Sequence, residues 1–389
     1  MQHQLSTHRQ RLLTALAHKE PDRVPFDLGG SVLTGIHIRA YQSLRRYLGL
    51  PVRELIVRDT VQQLARVEDD VLERLGVDVR NVSPNPLRPE IHFKETDDGK
   101  YTYYYDDFGI GWRMPVSGGF YFDMFHHPLG GDITEGDIDR FALPDVTDPV
   151  RFTGLKETAQ GIIDGEKRAV YMGNVCAGIF ELYLWVRGFQ NGYADLAGNL
   201  KLALKLLDRF KDLQIVYWGK VFSVMGDTID VVQLADDFAG QDRMLISPAT
   251  YRKHLKPLHR EVCDFIHSHS RARIFFHSCG AIRPVIPDLI EAGVDIINPV
   301  QVSAAGMDSA ELKREFGKDL VFWGGGVDTQ RIFDERNTPD AVREDVKRRL
   351  NDLMPGGGFV FATVHNIQAN VPPENIVAMW ETVQKYGKY

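Results

Sequence analysis

Short apolar runs alternate with amphipathic stretches along the whole chain. Most of the runs are rich in β-branched and aromatic residues, and several are apolar on both alternating faces, as in strands that helices cover on both sides. There are eight such runs: VPFDLGG (24–30), VDVRNVSP (77–84), AVYMGNV (169–175), DVVQLADD (230–237), RIFFHSCG (273–280), VDIINPVQ (294–301), LVFWGGGVD (320–328) and GFVFATVHN (358–366). Eight β/α units over this length predict an α/β fold of the (β/α)8 TIM-barrel type, with an open doubly wound sheet as the alternative.

One segment interrupts this rhythm. Residues 91–128, called the hairpin insert below, alternate aromatic and polar residues around DDGK and SGG turns. This pattern predicts antiparallel β-hairpins inserted after the second strand. The insert is either an extra sheet that closes one barrel mouth or a lid that forms a substrate wall. Because no linker or internal repeat divides the chain, we predict a single unit over residues 1–389.

Composition excludes several classes of protein. The 46 Lys and Arg residues against 53 Asp and Glu residues give a net charge of −7 without a basic block, which argues against nucleic acid and membrane partners. No apolar run approaches the roughly 18 residues that cross a bilayer. The 3 cysteines, at positions 176, 263 and 279, offer no disulfide framework. We therefore expect a reducing compartment, by default the cytoplasm.

The fifth predicted strand carries a candidate metal site. It ends in His277-Ser278-Cys279-Gly280, and the two-residue period of a strand places the His277 and Cys279 side chains on the same side. Active sites of (β/α)8 barrels lie at this end of the strands, and an imidazole and a thiolate are good Zn²⁺ ligands. A buried structural histidine beside an inert cysteine is the alternative. A catalytic zinc needs a third ligand, for which His365 and Cys176 are both candidates.

Other polar side chains follow the predicted strands. A carboxylate there can be a general acid or base, a partner that orients a histidine, or a fourth zinc ligand, whereas helix N-capping is the alternative for Asp237 and Asp328. Adjacent Asp236 and Asp237 point in opposite directions on a strand, so at most one enters the site. The predicted catalytic residues are Asp237, Asp27 and Asn174, and the predicted substrate-binding residues are Glu181, Gln241, Asn298, Gln301 and Asp328.

Longer segments resemble a known family. They are RQRLLTALAHKEPDRVPFDLGG (9–30), GVDIINPVQ (293–301), FWGGGVDTQ (322–330) and HNIQANVPPENIVAMWETVQKYG (365–387), and they resemble the uroporphyrinogen decarboxylase superfamily over essentially the whole chain. The resemblance implies a (β/α)8 barrel, in agreement with the strand count.

The superfamily has two main branches. Its porphyrinogen decarboxylases grip substrate carboxylates with an Arg-x-x-Gly-Arg type motif at the first strand, where this chain has PFDLGGSV and no arginine. Its zinc methyltransferases carry H-x-C at the fifth strand and a further ligand, usually cysteine, at the end of the eighth. His277 and Cys279 match this pattern, while the eighth-strand position falls at or beside His365 and so departs from the usual cysteine.

The resemblance to the second branch implies a function. We expect a zinc-dependent methyltransferase that moves a methyl group from a methyl ether, with an aryl ether favoured by the aromatic insert, to the Co(I) corrinoid of a separate protein. A homodimer is compatible with this superfamily. The alternatives are a metal-free, decarboxylase-like lyase that uses Asp27, Asp237 or His365 for proton transfer and hydrogen bonding, and a divergent barrel for binding or hydrolysis.

Overall fold

The computed structural model describes residues 6–51, 53–88 and 90–389, so residues 1–5, 52 and 89 of the predicted single unit lie outside it. Within the described residues there are 14 α-helices and 13 β-strands. The helices are α1 (His8–Leu16), α2 (Ile38–Tyr47), α3 (Asp69–Leu75), α4 (Glu135–Arg140), α5 (Leu155–Gly161), α6 (Ile179–Arg187), α7 (Phe189–Gly198), α8 (Leu200–Met225), α9 (Pro248–Thr250), α10 (Lys256–His269), α11 (Ile286–Glu291), α12 (Ser309–Phe316), α13 (Pro339–Leu353) and α14 (Pro373–Tyr386).

The strands form three sheets. They are β1 (Val57–Asp59), β2 (Leu64–Ala65), β3 (Val79–Val82), β4 (Lys94–Glu95), β5 (Tyr101–Tyr105), β6 (Gly111–Pro115), β7 (Asp123–His126), β8 (Ala169–Met172), β9 (Val231–Ala235), β10 (Arg273–His277), β11 (Ile296–Asn298), β12 (Val321–Trp323) and β13 (Phe359–Val360). Seven strands form one sheet in the order β13-β12-β11-β10-β9-β8-β3. All of its pairs are parallel, and each strand lies beside the strand of this sheet that follows it in the chain, β3 beside β8 after the hairpin insert.

Residues 24–28 close this sheet into a barrel. On one side Asp27 N donates to Phe361 O at 2.9 Å and Phe361 N donates to Pro25 O at 2.8 Å. On the other side Asp78 N donates to Phe26 O at 2.9 Å, directly before β3. All eight predicted strand segments therefore contribute to the barrel, and the open-sheet alternative is wrong.

Side chains fill the interior of this barrel. Every residue of β8, β9 and β11 is buried, because helices cover the outer face and side chains fill the barrel. Tyr171 lies at this interior, with its ring centroid 5.2 Å from Phe275 and 6.1 Å from Trp323. The interior is a packed core, so a ligand can enter only at the ends of the strands.

The hairpin insert follows the second barrel strand, as predicted. Its four antiparallel strands have the order β4-β5-β6-β7. Phe122 N donates to Val61 O at 2.9 Å, and the Tyr121 hydroxyl bonds to Gln368 in the loop after β13. The Trp112 ring lies edge-on to Trp185 of α6 at 5.3 Å. These contacts place the insert over the carboxyl-terminal ends of the barrel strands, which we call the barrel mouth. No helix among residues 6–51, 53–88 and 90–389 combines the length and apolar character of a membrane span.

A buried carboxylate joins α1 to the first two barrel strands. Asp78 Oδ1 accepts from His8 Nδ1 at 2.7 Å and from Arg11 Nη1 at 2.6 Å, while Oδ2 accepts from Arg23 Nη1 at 2.9 Å and from Phe26 N at 2.8 Å. Burial alone would raise the pKa of Asp78, but the His8 bond and the Arg23 and Arg11 charges outweigh it and lower the pKa. The charged form therefore stabilises the fold.

We expect Asp78→Asn to lower the free energy of unfolding by about 3–5 kcal/mol, because it leaves buried cations without their counter-charge. Since the folded-state pKa is lowered, this contribution is present above roughly pH 4 and is lost as the pH falls further. Urea denaturation at pH 7 and at pH 3 should show a large difference between wild type and variant that shrinks in acid. Asp340→Asn, in an exposed pair with Arg343, is the matched control, and equal effects of the two variants would contradict the prediction.

Candidate metal centre

Three donor atoms meet at the barrel mouth. His277 ends β10, Cys279 follows it, and His365 lies in the loop after β13. One ligand atom from each of the three lies within 4.8 Å of the other two. The His277 Nε2 to Cys279 Sγ distance is 3.3 Å, and the two imidazole centroids are 5.6 Å apart. Residues from two distant parts of the sequence thus converge on one point.

The His277 ring is held by a neighbouring strand. Its Nδ1 lies 2.6 Å from Asn298 Oδ1, and Asn298 Nδ2 in turn donates to Trp323 O at 2.7 Å. Because the amide nitrogen of Asn298 is bound to a carbonyl, its oxygen must face the histidine, and His277 Nδ1 must carry the proton. The Nε2 lone pair therefore points towards Cys279 and is free to bind a metal ion.

The backbone after Cys279 is shaped by a close approach. Gly280 has φ +92°, and a Cβ at this position would lie 2.6 Å from both Ala239 O and Gly240 O. Only glycine fits without displacing the backbone of the neighbouring loop. The sharp turn lets Cys279 N donate to Asp237 Oδ1 at 2.7 Å, which brings that carboxylate beside the ligands.

Acidic groups crowd the same point. Asp237 Oδ1 is 4.0 Å from His277 Nε2. Burial raises the pKa of Glu181 well above its ordinary value, and the charges of Asp237 and Asp236 raise it further. Burial likewise raises the pKa of the Cys279 thiol, with added contributions from Asp237 and Glu181. Desolvation and the neighbouring carboxylates therefore oppose the charged forms of Glu181 and of the Cys279 thiol.

The pKa of His365 is shifted downwards, whereas those of Glu181 and Cys279 are shifted upwards. Burial lowers its pKa to about 4, and the neighbouring His277 lowers it while Asp237 opposes this effect. The ring is therefore neutral at physiological pH, which is the form that binds metals. Two imidazoles and one thiol that a metal ion would deprotonate form a suitable donor set for zinc, with coordination positions left for substrate.

Comparisons with known proteins agree with this architecture. The family model described as uroporphyrinogen decarboxylase (URO-D) matches residues 127–386, which is more than half of the chain. The chain belongs to the uroporphyrinogen decarboxylase family. No curated protein sequence is significantly similar to it.

Among solved structures, a methyltransferase from Methanosarcina mazei has a TM-score of 0.66 at 18% identity, and the match covers 98% of this chain and 99% of that chain. This likeness concerns the fold. A β-glucosidase from Pyrococcus furiosus matches with a TM-score of 0.39 and 10% identity over 81% of this chain and 83% of that chain. A β-glycosidase from Thermosphaera aggregans has a TM-score of 0.39 and 8% identity over 82% and 84% of the two chains. Scores this low carry no argument about the present protein.

Two predicted site residues of this uroporphyrinogen decarboxylase family member form hydrogen bonds within the protein. Asn174 Nδ2 donates to Gln214 Oε1 at 2.8 Å, and its Oδ1 accepts from Val175 N at 2.7 Å. Asp328 Oδ1 accepts from Gln330 N at 2.9 Å and from Arg331 N at 3.1 Å, so it caps the loop in which it lies. Their predicted catalytic and substrate-binding roles remain predictions.

Two glutamines stabilise the turn that follows Cys279. Gln301 Oε1 accepts from Gly280 N at 2.7 Å, and Gln301 Nε2 donates to Gln241 Oε1 at 2.8 Å. Gly280 is the residue directly after the candidate ligand Cys279, and Gln241 reaches it only through Gln301. The observed bonds stabilise the turn at Gly280, and substrate binding by either glutamine remains a prediction.

The two adjacent aspartates separate as expected. Asp236 is buried, accepts from Phe180 N at 3.0 Å and from Glu181 N at 2.7 Å, and lies 2.7 Å from His259 Nε2. It therefore holds the first turn of α6, while Asp237 reaches the candidate ligands Cys279 and His277. Gly178 makes this possible, because a Cβ there would lie only 1.5 Å from Ala235 O.

Cys176 lies outside the donor cluster of the described residues. Its Sγ accepts from Gln214 Nε2 at 3.4 Å, and burial raises the pKa of the thiol to about 12. Of the two candidates for a third ligand, the geometry favours His365. A further mouth residue, Arg58 on β1, was not predicted from the sequence, because VRDT (57–60) does not end any of the eight barrel segments.

We expect His277→Ala and His365→Ala each to lower zinc affinity at least tenfold, because each removes one of three converging donors. Cys176→Ala is the matched control and should retain about one zinc per chain. Elemental analysis after dialysis against a chelator measures the difference. Zinc loss in the Cys176 variant alone would contradict the assignment of His365.

Asn298→Ala should weaken zinc binding by about 10- to 100-fold without removing a ligand, since His277 loses the acceptor that sets its tautomer and ring orientation. Competition with a chromogenic chelator would measure the affinity. Asn174→Ala, at the same mouth but bonded to Gln214, serves as the control. Equal zinc affinities for the two variants would show that Asn298 does not orient the histidine.

Proposed function

We propose that this chain is a zinc-dependent methyltransferase that transfers a methyl group from a methyl ether, with aryl methyl ethers as the substrate class, to the Co(I) corrinoid of a separate carrier protein. The observation that carries the proposal is the convergence of His277, Cys279 and His365 at the barrel mouth. The M. mazei protein of the same fold, a methyltransferase, supports the reaction class.

The proposed ligands are His277, Cys279 and His365. When bound, zinc supplies Lewis-acid stabilisation of the negative charge that develops on the leaving group, which is worth several kcal/mol. An ether is a poor methyl donor because an alkoxide or phenoxide leaves badly, so stabilisation of this kind is what the reaction needs. Asn298 keeps His277 in the binding tautomer, and Gln301 holds the turn beside Cys279.

Acidic residues of the chain lie close to the proposed ligands. Asp237 accepts from Cys279 N and lies 4.0 Å from His277 Nε2, which places its carboxylate beside the proposed ligands, where it could act as the general acid for the leaving oxygen. Glu181 has a raised pKa and is placed by Asp236 at the first turn of α6. We assign Glu181 a substrate-binding role and keep the catalytic role predicted for Asp27, which is buried and accepts from Trp323 Nε1.

The hairpin insert would form the wall of the substrate pocket. It contacts α6 and the loops after the first and last barrel segments, so it encloses the mouth. Excluding water strengthens the electrostatic interactions inside the pocket and protects a Co(I) acceptor from side reactions. The Co(I) of the corrinoid carrier would have to reach the substrate through this entrance, and a homodimer would have to leave the entrance accessible to the carrier.

The family name supports a second candidate, a metal-free decarboxylase, in which Asp27, Asp237 or His365 would act by proton transfer and hydrogen bonding. The first barrel segment has no arginine to bind a polyacidic substrate. The three converging metal donors favour the methyltransferase. Release of CO₂ from a porphyrinogen by the purified protein would instead establish the decarboxylase.

We expect zinc-loaded protein to convert cob(I)alamin and an aryl methyl ether into methylcobalamin and the free phenolate, and the methylcobalamin can be followed by its visible absorption. His277→Ala should lower the rate at least 100-fold, because several kcal/mol of charge stabilisation are lost. His269→Ala, an exposed histidine on α10, is the control. Undiminished methyl transfer by the His277 variant would refute the proposal.

A further inference from the structure

Arg58 presents an unsatisfied donor at the barrel mouth. Its Nη1 donates to Gly29 O at 2.8 Å, in the loop that follows the first barrel segment. Its Nη2 is buried and has no hydrogen-bond partner among the described residues. A buried polar nitrogen without an acceptor is unfavourable, and native proteins contain few such groups unless a ligand or a function requires them.

Other arginines with a buried free nitrogen are neutralised, whereas Arg58 is not. Arg168 pairs with Glu73 at 2.7 Å, and Arg349 pairs with Asp345 at 2.9 Å. In the part of the chain that the structure describes, no carboxylate oxygen lies within 4.0 Å of the Arg58 guanidinium. Burial lowers the pKa of Arg58 to about 10, although the charges of Asp59, Tyr171 and Asp27 oppose the shift. Arg58 is therefore a cation at neutral pH without a direct counter-ion.

A chain of hydrogen bonds connects the surroundings of Arg58 to the candidate metal ligand His277. Asp27, near Arg58, accepts from Trp323 Nε1 at 2.9 Å, and Trp323 O accepts from Asn298, which holds His277. Tyr171, whose pKa is raised by burial and lowered in part by Arg58, packs against Phe275 two residues before His277. Arg58 thus lies over the barrel interior on the first-strand side, while the metal donors lie on the side of β10 and β13.

We propose that Arg58 anchors a single carboxylate of the substrate, at the end of the molecule remote from its methyl ether. A guanidinium nitrogen with free N–H groups matches a carboxylate oxygen in charge and geometry, and its desolvation already occurs in the folded protein. One free cation matches one acid group, which distinguishes this substrate from a polyacid. That the opposite end of this substrate carries a methyl ether rests on the proposed function.

Calorimetric titration with 4-methoxybenzoate and with methoxybenzene tests the anchor, since the two differ only in the carboxylate. Zinc-loaded wild type should bind the acid more tightly. Arg58→Met should weaken binding of the acid by about 10- to 100-fold and leave methoxybenzene unchanged. Arg58→Lys should restore part of the affinity. Arg53→Met, which removes an exposed arginine of the same segment, should behave as wild type.

Thermal unfolding separates an anchor from a structural arginine. Removing an unpaired buried cation should leave the melting temperature of the free protein unchanged or raise it, whereas removing a structural arginine would lower it. The proposal is overturned if Arg58→Met binds the acid as wild type does, if it weakens both ligands equally with a lower melting temperature, or if wild type prefers neither this acid nor its 2- and 3-methoxy isomers to methoxybenzene.

Failure of the anchor and failure of the proposed function give different results. The titrations need no corrinoid, so selective loss of acid binding in Arg58→Met without any methylcobalamin formation supports the anchor and refutes the methyltransferase. Equal methyl transfer from both ethers by wild type and by Arg58→Met supports the methyltransferase and refutes the anchor.

Discussion

Closure of the barrel is the constraint on which the candidate site depends. β10 and β13 are three strands apart, and in a flat sheet their residues would lie roughly 14 Å from one another. Pairing of residues 24–28 with both β3 and the segment after β13 bends the sheet into a cylinder. Inward-facing side chains then converge on the axis, so His277 and His365 reach a centroid distance of 5.6 Å. The same closure brings Asp27 beside Trp323 of β12.

Closure of the barrel also brings acidic groups, a thiol and an arginine together at the mouth. Asp237, Glu181 and the Cys279 thiol are half-buried and close together, and desolvation and neighbouring negative charge raise the pKa of Glu181 and of the thiol and so oppose their charged forms. A divalent cation would reverse this effect, since it stabilises a thiolate and neighbouring carboxylates. On the opposite side of the mouth, Arg58 is a cation without a direct counter-ion among the described residues. A pocket with separated centres of opposite sign is suited to a ligand with two distinct ends.

Strong local patterns made much of the protein predictable. The eight barrel segments are short, β-branched and apolar on both faces, which is typical of strands that are buried on both sides. The pair His277 and Cys279 could be assigned because a strand has a fixed two-residue period, and Gly280 marks the turn that follows. The hairpin insert was likewise visible in its alternation of aromatic and polar residues. In each case the information lies within a few neighbouring residues.

Tertiary structure decided which distant residues meet. Both His365 and Cys176 follow barrel strands, but only His365 joins His277, while Cys176 is held by Gln214 of α8. Asn298 orients a histidine, and Asn174, equally polar and equally placed at a strand end, bonds to α8. Arg58 comes from a short segment with no distinctive local pattern. The sequence by itself determined the strands, the insert and the His277–Cys279 pair, because these depend on local periodicity. The third donor, the orienting amide and the free guanidinium depend on side-chain directions after the sheet closes, and local periodicity does not encode those directions.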